Sequence, residues 1–134
     1  MSKKLPHTVI YLCGPINGCT DEECTSWREL VKSKVCVTLD PMRRDYRGRE
    51  AECVNEIVTL DKVDIANSDV LLVNYDKPSV GTAMEVYLAF TSGKLVVVVA
   101  RPDTVISPWM RYHSHAILHS FESAIDFIEQ TLNK

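Results

Sequence analysis

"DVLLVNYDKPSVGTAMEVYLAFTSGKLVVVVA", Asp69 to Ala100, decides the fold. It holds two apolar runs, "DVLLVNY" (69–75) and "KLVVVVA" (94–100), with a loop and a helical stretch between them. Neither run alternates polar with apolar residues. A strand that is apolar at nearly every position is covered on both faces, as in a parallel sheet. The middle segment reads as a helix that starts near Thr82 and stops at Gly93. The whole is a strand–helix–strand unit, and such crossovers are right-handed.

The same pattern extends outward. "TVIYLCG" (8–14) supplies another strand, "VCVTLD" (35–40) a weaker one, and Ala116–Ser120 leaves room for a short fifth. Thr20 and Glu23 form a capping-box signature at the start of "DEECTSWRELVKSK", with Trp27, Leu30 and Val31 on one side. A second helix is expected over Ala51–Asn67. Ser120 can cap a last helix whose Phe121, Ala124, Ile125 and Ile128 form an apolar stripe. Strands alternating with helices imply an α/β fold. The expectation is one Rossmann/flavodoxin-like three-layer domain over residues 1–134, with a parallel sheet of four to five strands flanked by helices.

Composition narrows the function classes. The 134 residues are 46% apolar and 25% charged, ordinary for a globular protein. A formal charge of -3 gives no general attraction to a nucleic acid polymer. The one basic cluster, "RRDYRGR" with Arg43, Arg44, Arg47 and Arg49, suits a small phosphorylated ligand better than a duplex. Five cysteines without a CxxC pair argue against a disulfide framework and a zinc ribbon. Cys13 and Cys36 lie in apolar runs and read as small buried hydrophobes. No signal peptide and no run of membrane-spanning length is visible, so a reduced cytoplasmic location is expected.

Open α/β sheets bind ligands beyond the carboxyl ends of their strands. Four loops lie there: "CGPINGCT", "DPMRRDYRGRE", "NYDKPSVGT" and "ARPDTVISPW". In the helix before the third strand, Val54, Val58, Asp61 and Ile65 recur at helical spacing, which puts a carboxylate on the face toward the sheet. Pattern alone leaves Asp61 either a functional group or an edge residue reaching water. Asp64 and Asp69 read as structural. Glu85 has two readings as well. Thr82-x-x-Glu85 is a capping-box pattern, and an ionised carboxylate in a ligand crevice is what a covalent nucleophile requires. Ser79 and Gly81 precede it, where backbone N–H groups could receive an anion. "CGPING" is weak evidence for a dinucleotide site, and no Walker loop occurs. His113, His115 and His119 lack metal-ligand spacing, so neither metal nor cofactor is expected. Trp109 and Tyr112 read best as subunit-contact residues.

Taken in order, "IYLCGPING", "LDPMRRDYRG", "LDKVDIANSDVLLVN" and "SVGTAMEVYLAFTSGK" resemble the nucleoside 2-deoxyribosyltransferase family, over most of the chain. That family also contains hydrolases of deoxynucleoside and cytidine monophosphates. The resemblance implies that Glu85 is the nucleophile and that Asp61 handles the proton of the base. It places Tyr11 near the sugar, Asp45 against the base, and Gly14, Ser79 and Gly81 around the substrate.

Two departures from the transferase pattern favour a hydrolase. Typical transferases carry an Asp where this chain has Ser79, and serine removes a charge that would repel a phosphate. Ser107 falls where the monophosphate hydrolases supply a phosphate-binding serine from a neighbouring subunit. Transferases also carry a C-terminal extension, whereas this sequence reads as ending on its last helix. Pro15 points the other way, standing where a hydrolase pattern has serine. The expectation is cleavage of a nucleoside 5′-monophosphate through a glycosyl-Glu85 intermediate, in a homodimer or larger homo-oligomer. Base exchange on deoxyribose and a non-catalytic nucleotide-binding module are the alternatives. As an acceptor, Asp45 would suit an exocyclic amino group on cytosine or adenine.

Overall fold

The computed structural model describes residues 7–35 and 37–132. Cys36 and both chain ends therefore lie outside the described residues. The elements run β1 (Val9–Cys13), α1 (Asp21–Lys32), β2 (Val37–Leu39), α2 (Val54–Ala66), β3 (Val70–Asn74), α3 (Val80–Thr91), β4 (Leu95–Val99), α4 (Pro108–Tyr112), β5 (Ala116–Leu118) and α5 (Phe121–Leu132). Two 3₁₀ turns, Pro41–Arg43 and Glu50–Glu52, occupy the long connection between β2 and α2. The five strands form one parallel sheet in the order β2-β1-β3-β4-β5. That is the flavodoxin-like order, and its switch point lies between β1 and β3.

Alternation along each strand divides the core in two. Ile10, Leu12, Val70, Leu72 and Val97 face one way, against Trp27 and Val31 of α1 and Ala124, Ile125 and Ile128 of α5. Tyr11, Cys13, Leu71, Val73 and Val96 face the other, against Ile65 of α2, Val86 and Ala89 of α3 and Met110 of α4. Unbroken apolar runs are thus the sequence signature of strands sandwiched between two helical layers. Thr20 and Glu23 form the expected capping box. The Ser120 hydroxyl accepts from the Ser123 N–H at the start of α5. Gly93, at φ +83, ends α3 in the left-handed conformation that glycine adopts most readily.

Three local expectations change. The segment 51–67 is not one helix: a 3₁₀ turn comes first and α2 starts at Val54. On α1, Leu30 is exposed at 38%, and Arg28 rather than Leu30 joins the buried face. The Val54–Val58–Asp61–Ile65 stripe does not pack on the sheet along its length. Val54 and Val58 are exposed, and only Ile65 enters the core. The amino-terminal half of α2 stands clear of the sheet, and the space beneath it is the cavity described next.

Candidate active site

Tyr11 and Cys13 are two residues apart on β1, so their side chains share a face. Both meet Glu85 of α3. The Tyr11 hydroxyl donates to Glu85 Oε2 at 2.7 Å, and the Cys13 thiol donates to Oε1 at 3.3 Å. Each carboxylate oxygen therefore has its own donor from one strand. The carboxylate opens onto a cavity of about 390 Å³, within the usual range for small-molecule sites. The β1–α1 loop contributes Gly14, Ile16 and Asn17 to its wall. The loop after β2 adds Arg44, Tyr46 and Arg47, α2 adds Ile57, Val58 and Asp61, and α3 adds Ser79, Gly81 and Thr82. The cavity sits beyond the carboxyl ends of the strands, beside the β1–β3 switch point, as α/β topology requires. Gly14 is close to obligatory here, because a Cβ would lie 2.9 Å from Trp27 Cζ2 and 3.3 Å from Asn74 Cβ.

The capping role for Glu85 is overturned. The N-cap of α3 is Ser79, with extended backbone (φ -151, ψ 131), and its side chain accepts from the Thr82 N–H at 3.4 Å. Thr82 lies inside the first turn, and its buried Oγ1 has no partner among the described residues. Glu85 is consequently past the turn where the helix dipole acts strongly. Burial dominates instead and pushes the Glu85 carboxyl up to about 7, with the bonds from Tyr11 and Cys13 opposing it and the Asp61 charge reinforcing it.

Asp61 lies on α2, on the wall of the same cavity, and its carboxyl interacts with that of Glu85. Burial raises its proton affinity, the Arg44 guanidinium opposes this, and Asp64 adds to the rise. Two carboxylates in such contact titrate as a pair and hold one proton between them over a range of pH. A buried ionisable pair carrying one proton can divide the roles of nucleophile and acid.

Cys13 tunes this pair, which yields a signed pH test. Cys13→Ala removes a donor to the ionised form of Glu85. The acidic limb of the activity profile should move up, by about half a pH unit for a weak donor. Cys13→Ser, a stronger donor, should move it down. Superimposable profiles for all three proteins would show that the contact has no electrostatic effect.

A family model described as nucleoside 2-deoxyribosyltransferase matches residues 10–126. The chain belongs to that family. Solved structures agree on the fold. A 2-deoxyribosyltransferase from the psychrotolerant bacterium Bacillus psychrosaccharolyticus superposes with a TM-score of 0.76 at 16% identity, covering 93% of this chain and 96% of that one. A conserved protein from Enterococcus faecalis V583 gives 0.70 at 17%, over 93% and 99%. The CMP N-glycosidase BcmB of Clostridium botulinum gives 0.59 at 15%, over 91% and 99%. A search of curated protein sequences finds no significant match.

In this deoxyribosyltransferase-family chain, six residues expected at the site line the one cavity: Tyr11, Gly14, Asp61, Ser79, Gly81 and Glu85. Two do not. Asp45 is held by Arg47, whose Nη2 donates to Oδ2 at 2.6 Å, and these bonds keep its carboxyl down at about 2. An acceptor occupied by its own neighbour is poorly placed to read a base. Ser107 caps α4, accepting from the Trp109 N–H at 3.1 Å. It lines an adjoining groove of about 740 Å³ between α3 and α4, with Trp109 and His113, and Ser79, Met84 and Tyr87 line both.

The histidines take structural partners. His115 Nδ1 accepts from the Val96 N–H, while His113 and His119 contact the Trp109 and Ala100 carbonyls. Among the described residues no group of three His, Cys, Asp or Glu is arranged to hold a metal, and no helix is long and apolar enough to cross a membrane. Sequence reading missed the contact of Cys13 with Glu85, and it gave Arg44 only as part of a basic cluster suited to a phosphorylated ligand. Cys13 is buried as expected, yet its thiol touches Glu85. The available signal was its two-residue offset from Tyr11.

Proposed function

We propose that the chain cleaves the N-glycosidic bond of a (2′-deoxy)nucleoside 5′-monophosphate, releasing free base and (deoxy)ribose 5-phosphate. The observation that carries this reading is the Glu85–Asp61 pair, brought together in one cavity where Tyr11 and Cys13 orient the Glu85 carboxylate. In the first step the C1′–N bond breaks and its electron pair leaves with the base. A Glu85 oxygen closes on C1′, and the proton of the pair, handed to Asp61 as Glu85 ionises, passes from Asp61 to the base. Water, deprotonated by Asp61, then attacks C1′ and frees Glu85. No cofactor is needed for this sequence.

The phosphate preference draws on the start of α3. Its first turn carries no acidic residue, Ser79 stands at the N-cap, and Ser79 and Gly81 line the cavity. Free first-turn N–H groups with the positive end of the helix dipole favour an anion. The name of the matching family favours a second reading, base exchange on 2′-deoxyribose.

One assay separates the readings. Nucleosides and their 5′-monophosphates are incubated with and without a second free base, and products are followed by chromatography. The hydrolase reading expects base release, faster from monophosphates, with little exchange. Exchange from plain nucleosides would replace it with the transferase. Calorimetric binding without release would leave a nucleotide-binding module. The proposal includes a homodimer or larger assembly, in which Ser107 serves a second copy's phosphate. Exposed Met84, Tyr87 and Trp109 on that groove support it. Light scattering that gave a monomer would remove Ser107 from the site.

A further inference from the structure

Arg44 is the cationic group of the cavity that the fold holds in place without using all its donors. Its Nη2 donates to Asp64 Oδ2 at 2.8 Å and lies 3.6 Å from Asp61 Oδ1. Asp64 is buried and is gripped from its other side by Arg43 Nη2, at 3.2 and 3.1 Å. Arg43 also donates to the Asp40 carbonyl and does not line the cavity, whereas Arg44 does. Among the described residues, Nε and Nη1 of Arg44 donate to no protein acceptor. Arg47 differs: its Nε and Nη2 are bound to Asp45 and its Nη1 to the Cys19 carbonyl. Lys62, the remaining cation on the wall, is exposed.

A guanidinium aimed by a buried carboxylate, beside the group that hands over the proton, is placed to act on the departing base. We propose that Arg44 stabilises the leaving base, donating to the acceptor next to the glycosidic nitrogen, which is O2 of a pyrimidine or N3 of a purine. This rests on the N-glycosidase reading and deepens it. As C1′–N breaks, the electron pair enters the ring and charge builds on that acceptor, where a fixed donor is worth most. Arg44 keeps its proton throughout. Asp61 becomes anionic when its proton leaves, and the same guanidinium stabilises that charge too. Base selection then depends on a donor in the pocket rather than on the Asp45 carboxylate. The groups facing this corner are Asp61 and Asp64 from α2, Glu85 from α3, Tyr11 and Cys13 from β1, and Arg43 from the loop.

The test varies the leaving group. Deoxyuridine and deoxycytidine 5′-monophosphates bearing methyl, hydrogen or fluorine at C5, and deoxyguanosine 5′-monophosphate with and without an N7 methyl, span poor to good leaving bases. Turnover is measured for wild type, Arg44→Gln, Arg44→Lys and Arg43→Gln. Arg44→Gln should lose about 100-fold on the poor leaving bases and only about tenfold or less on the activated ones, with Arg44→Lys between. Arg43→Gln should lose a similar factor on every substrate. The slope is a ratio within one protein, so a partly unfolded sample does not change it. A flat loss across the series for Arg44→Gln overturns the proposal. The matching unphosphorylated nucleosides are run beside them, and a loss confined to the phosphorylated substrates also overturns it, since that would make Arg44 a phosphate ligand. If wild type releases no base from any of these substrates, the glycosidase reading itself fails, and this inference with it.

Discussion

Glu85→Gln should abolish the proposed base release, lowering turnover by at least roughly 10³-fold, the scale set by removing a covalent nucleophile. The same variant changes the pH dependence of stability. The Glu85 carboxyl is raised from an ordinary 4.5 to about 7, chiefly by burial. Between those values the folded protein binds more protons than the unfolded chain. Stability therefore falls as pH rises through that window, by on the order of 2 kcal/mol, shared with Asp61. Glutamine cannot ionise, so the variant should lose most of this fall. Its absolute stability need not rise. An amide offers one acceptor and one donor group to two β1 donors, leaving the Tyr11 hydroxyl or the Cys13 thiol facing an N–H. Denaturant titrations from pH 5 to 8, with a chromatographic turnover assay, test both parts. Full turnover in Glu85→Gln would remove the nucleophile assignment, and parallel stability curves would remove the account of its proton affinity.

Arg28→Ala should be the most destabilising single change, costing about 3–5 kcal/mol and lowering the melting temperature by roughly 10–20 °C. Arg28 is fully buried. Its Nη1 donates to the Cys24 carbonyl at 2.6 Å, and its Nη2 to the carbonyls of Leu12 and Gly14 at 3.3 Å each. Its Nε lies 3.4 Å from Oδ1 of buried Asp40, without hydrogen-bond alignment. Truncation leaves three carbonyls without this donor and Asp40 with Lys32, at 2.7 Å, as its one remaining cation beside the Met42 N–H at 2.8 Å. A buried charge that loses a partner is costly, whereas exposed pairs contribute little. Lys32→Ala should accordingly cost under about 1 kcal/mol, since Lys32 is one-third exposed. Arg28 also fixes the end of β1, so its loss should lower activity through Tyr11 and Cys13. Thermal melts within a few degrees of wild type for Arg28→Ala would show that the network contributes little.

These two residues also mark the limit of what the sequence discloses. Glu85 stood out because a carboxylate was set among Ala83, Met84, Val86 and Leu88, though the local pattern explained it wrongly, as a cap for Thr82. The capping error has a physical source. Both Ser79 and Thr82 can cap a helix, and which one does so depends on where the chain leaves β3. Arg28 gave no sign at all. On α1 it reads as an ordinary surface residue, and only the Leu12 and Gly14 carbonyls at the end of β1 explain its burial. Asp45 shows the converse, a polar loop residue expected at the base whose acceptor is occupied by Arg47, two positions away.

The sequence by itself determined the architecture. Unbroken apolar strands must be covered on both faces, alternating helices must cross over right-handedly, and ligands then gather at the carboxyl ends of the strands. Glu85, Asp61, Tyr11 and Ser79 could be named from that logic and from family likeness. Only the tertiary structure decided what surrounds them. Tyr11 and Cys13 clamp Glu85, Arg44 reaches Asp61, and Ser107 faces a different groove. These pairings join residues 17 to 74 positions apart, and periodicity along a chain carries no information about such distances. Local patterning follows from which residues must avoid water. The proton affinity of Glu85 follows from which donors and charges meet in the space that is left.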